Sequence, residues 1–298
     1  MTRRCHTAVV GLAALVALAV MVAIAGGAPA RNEVGVTMSA PAFSHVVLVV
    51  FENKEVDQVL GSPEAPTFAA LARRYTLLTD YRAVAHPSLP NYLALVSGST
   101  QGITSDCTSC QVEAPNLADT LERAGKTWKT YAEGLPRAGF TGPSAGRYAK
   151  KHDPFLYFAD VVGRPDRLRR IVPLDAFRRD LRAGRLPDFS LVVPDLCHDM
   201  HDCSVATGDS WLRTFLQPLL RSPALQQGVV FVVFDEGSSS VGGGGHVAAL
   251  VLGPLVRAGS RSSQQLSHYA LLRTIEQAWG LPLLGRSRSA KPVSGIWR

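Results

Sequence analysis

The chain alternates short apolar runs with stretches whose apolar positions recur every three or four residues. Ser44–Phe51 is an almost unbroken apolar run rich in Val, which predicts a strand buried on both faces of a parallel sheet. Phe189–Val193, Val229–Phe234 and Val247–Leu252 carry the same signature, and Thr76–Val84 and Trp128–Tyr131 predict two further strands. Helical spacing appears in Thr67–Arg74, in Ser88–Ser97 before Gly98, and in Asn116–Ala124 before Gly125. It returns at Leu174, Phe177 and Leu181 before Gly184, at Trp211–Leu220, and at Leu271–Trp279 before Gly280 and Pro282. Residues 134–172 are rich in Gly, Pro, Arg and Lys, with weak periodicity, and read as an irregular excursion carrying part of a substrate site. No internal repeat is present. Strands alternating with helices predict an α/β fold with a largely parallel sheet.

The first 30 residues read as an address. Arg3 and Arg4 precede the uncharged run Ala8–Ala25, and Ala28-Pro29-Ala30 fits a small-residue cleavage site, so residues 1–30 are expected to be a signal peptide. An uncleaved membrane anchor is the alternative, because the run is just long enough to span a bilayer. Residues 31–43 form a lead-in and 44–298 a single domain.

The formal charge of +7 includes Arg3 and Arg4, so the mature chain carries +5. No Lys/Arg block interleaved with aromatics occurs, which argues against nucleic-acid binding, while a modest positive field favours an anionic substrate. Arg178, Arg179 and Arg182 read as a solvated helix face. The leader removed, four cysteines remain, and in an exported chain an even number suggests two disulfides. Local pairing, Cys107–Cys110 with Cys197–Cys203, is preferred among three connectivities; half of a zinc site at Cys107-x-x-Cys110 is the other reading.

Acidic and imidazole groups follow three of the predicted strands. Glu52-Asn53 follows the first; Asp195, His198, Asp199, His201 and Asp202 follow 189–193; Asp235-Glu236 follows 229–234. In open α/β sheets ligands bind beyond the carboxyl ends of the strands, so these clusters are expected to meet. One cluster alone would be as consistent with a turn or a helix cap. Glu52, Asn53, Asp235 and Glu236 offer hard oxygens suited to Mg²⁺, Ca²⁺ or Mn²⁺. His198, His201, His246 and His268 can extend such a site toward zinc or iron, hold phosphate oxygens or protonate a leaving group. The run Gly242–Gly245 either is flexible or folds close over a ligand. Ser88 stands where a helix begins, in a position to act as a nucleophile near helix N–H groups that favour phosphate, or simply as an N-cap.

The segment His86-Pro87-Ser88-Leu89-Pro90-Asn91-Tyr92-Leu93-Ala94-Leu95, with Ser97-Gly98-Ser99-Thr100-Gln101-Gly102, resembles the phosphoesterase family of bacterial acid phosphatases and phosphatidylcholine-type phospholipases C. Phe51-Glu52-Asn53-Lys54, Pro194-Asp195-x-x-His198-Asp199-Met200-His201-Asp202, Gly208-Asp209-Ser210-Trp211-Leu212, Phe234-Asp235-Glu236-Gly237, Gly245-His246-Val247 and the closing segment from His268-Tyr269 to Glu276 look like its other motifs. The resemblance spans about residues 45–285. It implies an alkaline phosphatase-like fold and one divalent metal (Ca, Mg, Mn or Zn) ringed by Glu52, Asn53, Ser88, Asp235 and Glu236. It further implies Ser88 as nucleophile, Asn91 as a phosphate holder, and His201, Asp202 and His246 in phosphate binding or acid catalysis. The implied activity is an exported acid phosphatase working through a phosphoserine. The rivals are a phospholipase C-type diesterase, for which Phe155, Leu156, Tyr157 and Phe158 would supply an apolar ledge, and a non-catalytic binding protein. The expected partner is a phosphate ester, small or a phospholipid head group, with membrane contact only through an uncleaved leader.

Overall fold

The computed structural model describes residues 40–298, so the expected signal peptide and its cleavage point lie outside the described residues. Among the described residues, no helix is long and apolar enough to cross a membrane. An eight-stranded sheet forms the centre: β1 (Val46–Phe51), β2 (Thr76–Leu78), β3 (Trp128–Ala132), β4 (Ile171–Pro173), β5 (Phe189–Val193), β6 (Val229–Phe234), β7 (Ala249–Leu252) and β8 (Arg261–Ser262). Their order is β8-β2-β7-β6-β1-β5-β3-β4, and every neighbouring pair is parallel except the two made by β7. All residues of β1, β5 and β6 are buried, as their lack of polar alternation requires.

Six longer helices pack on this sheet: α1 (Pro66–Arg74), α2 (Ser88–Ser97), α3 (Leu117–Arg123), α4 (Asp175–Arg182), α5 (Val205–Leu219) and α6 (His268–Ala278). In one group α1 lies on α5, and α4 reaches α5 through the tilted ring pair Phe177 and Phe215; in the other α2 lies between α3 and α6. The aromatics Phe51, Phe68, Trp211 and Phe234 interlock between β1, β6, α1 and α5, with centroids 5.3 to 5.9 Å apart.

Register is what positions the site. Phe51 pairs with Phe234, so the strands end level, and Asp235 N–H donates to the Phe51 carbonyl at 2.8 Å. The next residues, Glu52 and Asp235, therefore leave the sheet side by side. Glu52 N–H donates to the Asp199 carbonyl at 2.9 Å, which draws in the loop after β5.

Three expectations change. Thr76–Val84 is not one strand: a turn at Thr79-Asp80 ends β2, and Tyr81–Arg82 pairs with Leu266–Ser267 in a separate small sheet. Helix α5 begins at Val205, well before Trp211, because Ser204 caps it and Gly208-Asp209 lie inside it. The carboxylate of Asp209 in turn accepts the N–H groups of Thr67 and Phe68 in α1. Third, Phe155, Leu156, Tyr157 and Phe158 are at most 1% exposed; they are core and form no ledge for a lipid. The local disulfides Cys107–Cys110 and Cys197–Cys203 are both formed.

Helix α2 stops at Gly98, whose φ of 68° and tight packing leave no room for a side chain: a Cβ would lie 2.1 Å from the Leu284 carbonyl oxygen. Gly98→Ala is expected to cost at least about 2 kcal/mol in denaturant unfolding, since left-handed strain and a backbone clash add. A midpoint unchanged from wild type would contradict this.

Candidate active site

Helix α2 delivers Ser88 at its first turn, and the residue one turn later on the same face is Tyr92. Both bond to Glu52. Ser88 Oγ donates to Glu52 Oε2 at 3.0 Å and Tyr92 OH donates to Oε1 at 2.7 Å. A second contact from Ser88 Oγ reaches Glu236 Oε1 at 3.4 Å. Asn53, at φ 56°, donates its amide to Glu52 Oε2 at 3.1 Å and its N–H to Asp235 Oδ1 at 3.3 Å. Asp235 is held from behind, because His268 Nε2–H donates to its carbonyl at 2.6 Å while His268 Nδ1 accepts from Tyr81 OH. The five residues expected around a metal (Glu52, Asn53, Ser88, Asp235 and Glu236) thus come together.

Two residues join them without having been assigned a role. His152, fully buried, places Nε2 3.1 Å from Glu52 Oε1 and Nδ1 3.2 Å from Asp199 Oδ2, with its ring stacked on Tyr92. Neither His152 Nε2 nor Asp199 Oδ2 has an aligned hydrogen-bond partner. His152 had no motif signal, lying in the irregular segment 134–172. Asp199 had one, its place between the two histidines of the loop after β5.

The electrostatics are those of a cation site. Burial, with help from like charges, pushes the carboxyls of Glu52 and Asp235 up, Asp235 well above the ordinary range. Burial also raises Glu236 and lifts Asp199 to about 7. Four carboxylates crowded away from water ionise together only if opposite charge accompanies them. Asp235 Oδ2 is buried with no hydrogen-bond partner, and ligand atoms of Glu52, His152 and Asp199 lie within 4.8 Å of one another. These crowded hard oxygen donors fit a divalent metal ion.

The other expected residues sit elsewhere. Asn91 does not face the cluster: its Oδ1 accepts from Val84 N–H and Ala85 N–H at 3.0 and 3.1 Å, and its Nδ2 donates to the Ala85 and Pro87 carbonyls. It shapes the loop that leads to Ser88. His246 donates Nε2–H to the Thr79 carbonyl at 2.9 Å, and among the described residues no hydrogen bond links its ring to the cluster. That orientation follows from the bridge its backbone makes with Arg82. His201 and Asp202 form a pair, Nδ1 to Oδ1 at 2.6 Å, at the exposed edge of the site. His198 turns away to Glu133 and Asp195. The glycine run folds close over chain rather than ligand: Cβ atoms on Gly243 and Gly244 would strike the Val84 and Ala85 carbonyls. His86 is tied between Glu236 and the Ser239 carbonyl; burial pulls its pKa down, but these partners carry it above the usual value.

Beside His152, Asp153 is buried with no well-aligned partner, and burial pushes its pKa up to about 8 from 3.8. Between those values the folded chain holds a proton that the unfolded chain has lost. Its contribution to stability therefore falls as pH rises from about 4 to about 8. Asp153→Asn is expected to flatten the pH dependence of Tm over that window. An unchanged slope in thermal melts would show that Asp153 ionises normally.

Known proteins resemble this chain along most of its length. The profile of the Phosphoesterase family matches residues 62–282. A phosphatidylinositol-3-phosphatase of Mycobacterium tuberculosis is 38% identical over 269 residues, covering 89% of this chain and 87% of that protein. A probable acid phosphatase of Kluyveromyces lactis is 31% identical over 85% of this chain, and an acid phosphatase of Aspergillus fumigatus 30% over 87%. The chain spans 62% and 58% of the lengths of these two fungal proteins. Among solved structures, a protein of the alkaline phosphatase superfamily from Vibrio parahaemolyticus aligns with a TM-score of 0.59 at 17% identity, covering 86% of this chain and 73% of that one. The two chains share their fold.

Proposed function

From the premise that this chain belongs to the Phosphoesterase family and is a hydrolase of phosphoric esters, we propose that it is an exported, metal-dependent acid phosphatase acting on monoesters through Ser88. The observation that carries this reading is the Ser88 hydroxyl at the start of α2, pointed at Glu52 and Glu236 within a pool of buried carboxylates. Glu52, Asn53, Ser88, Asp235 and Glu236 would hold the divalent ion, with His152 against the far side of Glu52 and Asp199 against His152. When bound, the ion neutralises these carboxylates, lowers the pKa of the Ser88 hydroxyl and offsets charge on the phosphoryl oxygens.

The chain's own residues do the rest. Ser88 Oγ attacks phosphorus in line with the leaving alcohol, and the phosphoserine so formed is hydrolysed by water. Tyr92, whose phenol burial and the neighbouring carboxylates keep protonated, holds Glu52 in place. Asn91 fixes the Val84–Pro87 loop, and with it the position of Ser88. His201, oriented by Asp202, lines the open edge, where solvent can deliver a proton to the departing alcohol. His246 has no part in this scheme. Export rests on the N-terminal leader and on two disulfides, which form outside the reducing cytoplasm.

The test is a substrate panel with Mg²⁺, Ca²⁺, Mn²⁺ and Zn²⁺ supplied in turn: p-nitrophenyl phosphate, phosphatidylinositol 3-phosphate and p-nitrophenylphosphorylcholine. The mycobacterial relative's name is the reason to include the phosphoinositide. Monoester turnover is expected with at least one metal. Turnover of the choline diester alone would move the protein to the phospholipase C branch, and no turnover at all would leave an exported binding protein.

A further inference from the structure

A lysine overlooks the carboxylate cluster. Lys151 stands on the short turn Lys150–His152, one residue before the imidazole that backs Glu52. Its Nζ donates to Asp106 Oδ2 at 2.9 Å and to His201 Nε2 at 3.3 Å. The side chain is 19% exposed, with its head at the open edge rather than in the core. Asp106 does a second thing: its Oδ1 accepts the N–H of Leu89, the residue after Ser88. Lys151 and the first turn of α2 are therefore gripping the two oxygens of one carboxylate, beside the nucleophile.

That arrangement is what an incoming phosphoryl group needs. Burial works against the lysine's charge, but the Asp106 hydrogen bond and the carboxylates of Glu52 and Asp235 carry its pKa above the ordinary value, so it stays cationic. Lysine donates and never accepts, so His201 Nε2 is an acceptor here and Nδ1–H points to Asp202. The other lysine near the cluster, Lys54, is tied to the Met200 carbonyl at 2.8 Å and is not free to reach substrate.

We propose that Lys151 is the residue that selects dianionic phosphate monoesters, exchanging Asp106 for a phosphoryl oxygen when substrate enters. The inference rests on the monoester reading above. A phosphate monoester carries about −1.5 to −2 charge at neutral pH, against −1 for a diester, so a second cation beside the metal site favours the monoester. Bonds change only at phosphorus: Ser88 still attacks and the alcohol still leaves, while Lys151 keeps its proton and contributes charge and a donor.

The experiment compares wild type, Lys151→Met and Lys151→Arg on p-nitrophenyl phosphate and on bis-p-nitrophenyl phosphate, with inorganic phosphate as a competitive inhibitor. Lys151→Met is expected to lose about 10- to 100-fold in kcat/KM on the monoester, mostly through KM, with a parallel rise in the inhibition constant for phosphate. Loss on the diester stays within about threefold, and Lys151→Arg recovers most of the monoester rate. Equal losses on both substrates, or an unchanged inhibition constant, overturn the proposal; so does an arginine variant no better than methionine. Should Lys151→Met fail to fold, Lys151→Gln takes its place in each comparison. If wild type hydrolyses neither ester, the monoester reading fails by itself. Calorimetric binding of inorganic phosphate then decides on Lys151: binding lost in the variant supports it, and equal or absent binding sinks it.

Discussion

Ser88→Ala is expected to lower kcat/KM on phosphate monoesters by about 10⁴-fold or more, the usual scale for deleting a covalent nucleophile. The variant loses one oxygen at a site that keeps Glu52, Asp235, Glu236 and the Tyr92 contact, so the fold should largely persist, while the lost ligand weakens metal affinity and calls for metal in excess. Ser88 contributes little to stability by its own contacts: the hydroxyl is buried, but its acceptors are carboxylates that a metal ion would also satisfy. The checks are steady-state kinetics, circular dichroism and metal content on the same preparation. A folded, metal-loaded Ser88→Ala protein with more than about a hundredth of wild-type activity would assign the attack to water, and the phosphoserine would go with it.

The second large effect is expected from removing the metal. Chelation should abolish turnover, and re-addition of one divalent ion should restore it. Stability should respond as well, in a direction fixed by the buried acids. Burial raises Glu52, Asp199, Asp235 and Glu236, so in metal-free protein each holds a proton that the unfolded chain gives up above its ordinary pKa. The metal-free fold should therefore weaken as pH rises through the carboxylate range, through about 7 for Asp199. A bound cation favours the ionised forms, so it should raise Tm most where the metal-free form is weakest, by an amount set by its excess over Kd. Full activity after exhaustive chelation, with no metal by elemental analysis, would overturn the metal reading.

How much of this was legible in the sequence depended on whether the signal was local. The apolar runs of β1, β5 and β6 have no polar face, so the parallel sheet could be read directly, and with it the meeting of Glu52 and Asp235 beyond the strand ends. The start of α2 at Ser88 and its stop at Gly98 were equally local. Direction of side chains was not. Asn91 and His246 stand in the right motifs, yet the turn of α2 and the bridge to Arg82 aim them at backbone carbonyls and amides. His152 and Lys151 were invisible because they sit on a single irregular turn, with no period to mark a face. The same segment misled through Phe155–Phe158, where apolar character meant core packing against Trp128 rather than a lipid ledge.

Glu52 gathers its partners from far along the chain: Ser88 and Tyr92 from α2, His152 from the irregular segment, and the Asp199 loop after β5. Asp235 and Glu236 are the last of them in sequence and directly follow β6, which pairs with β1. A chain still being synthesised has no centre to work with until residue 236 has been added, because Glu236 completes the cluster. Activity therefore waits on long-range assembly, and its onset during refolding is expected to time the docking of β6 rather than the formation of any single helix.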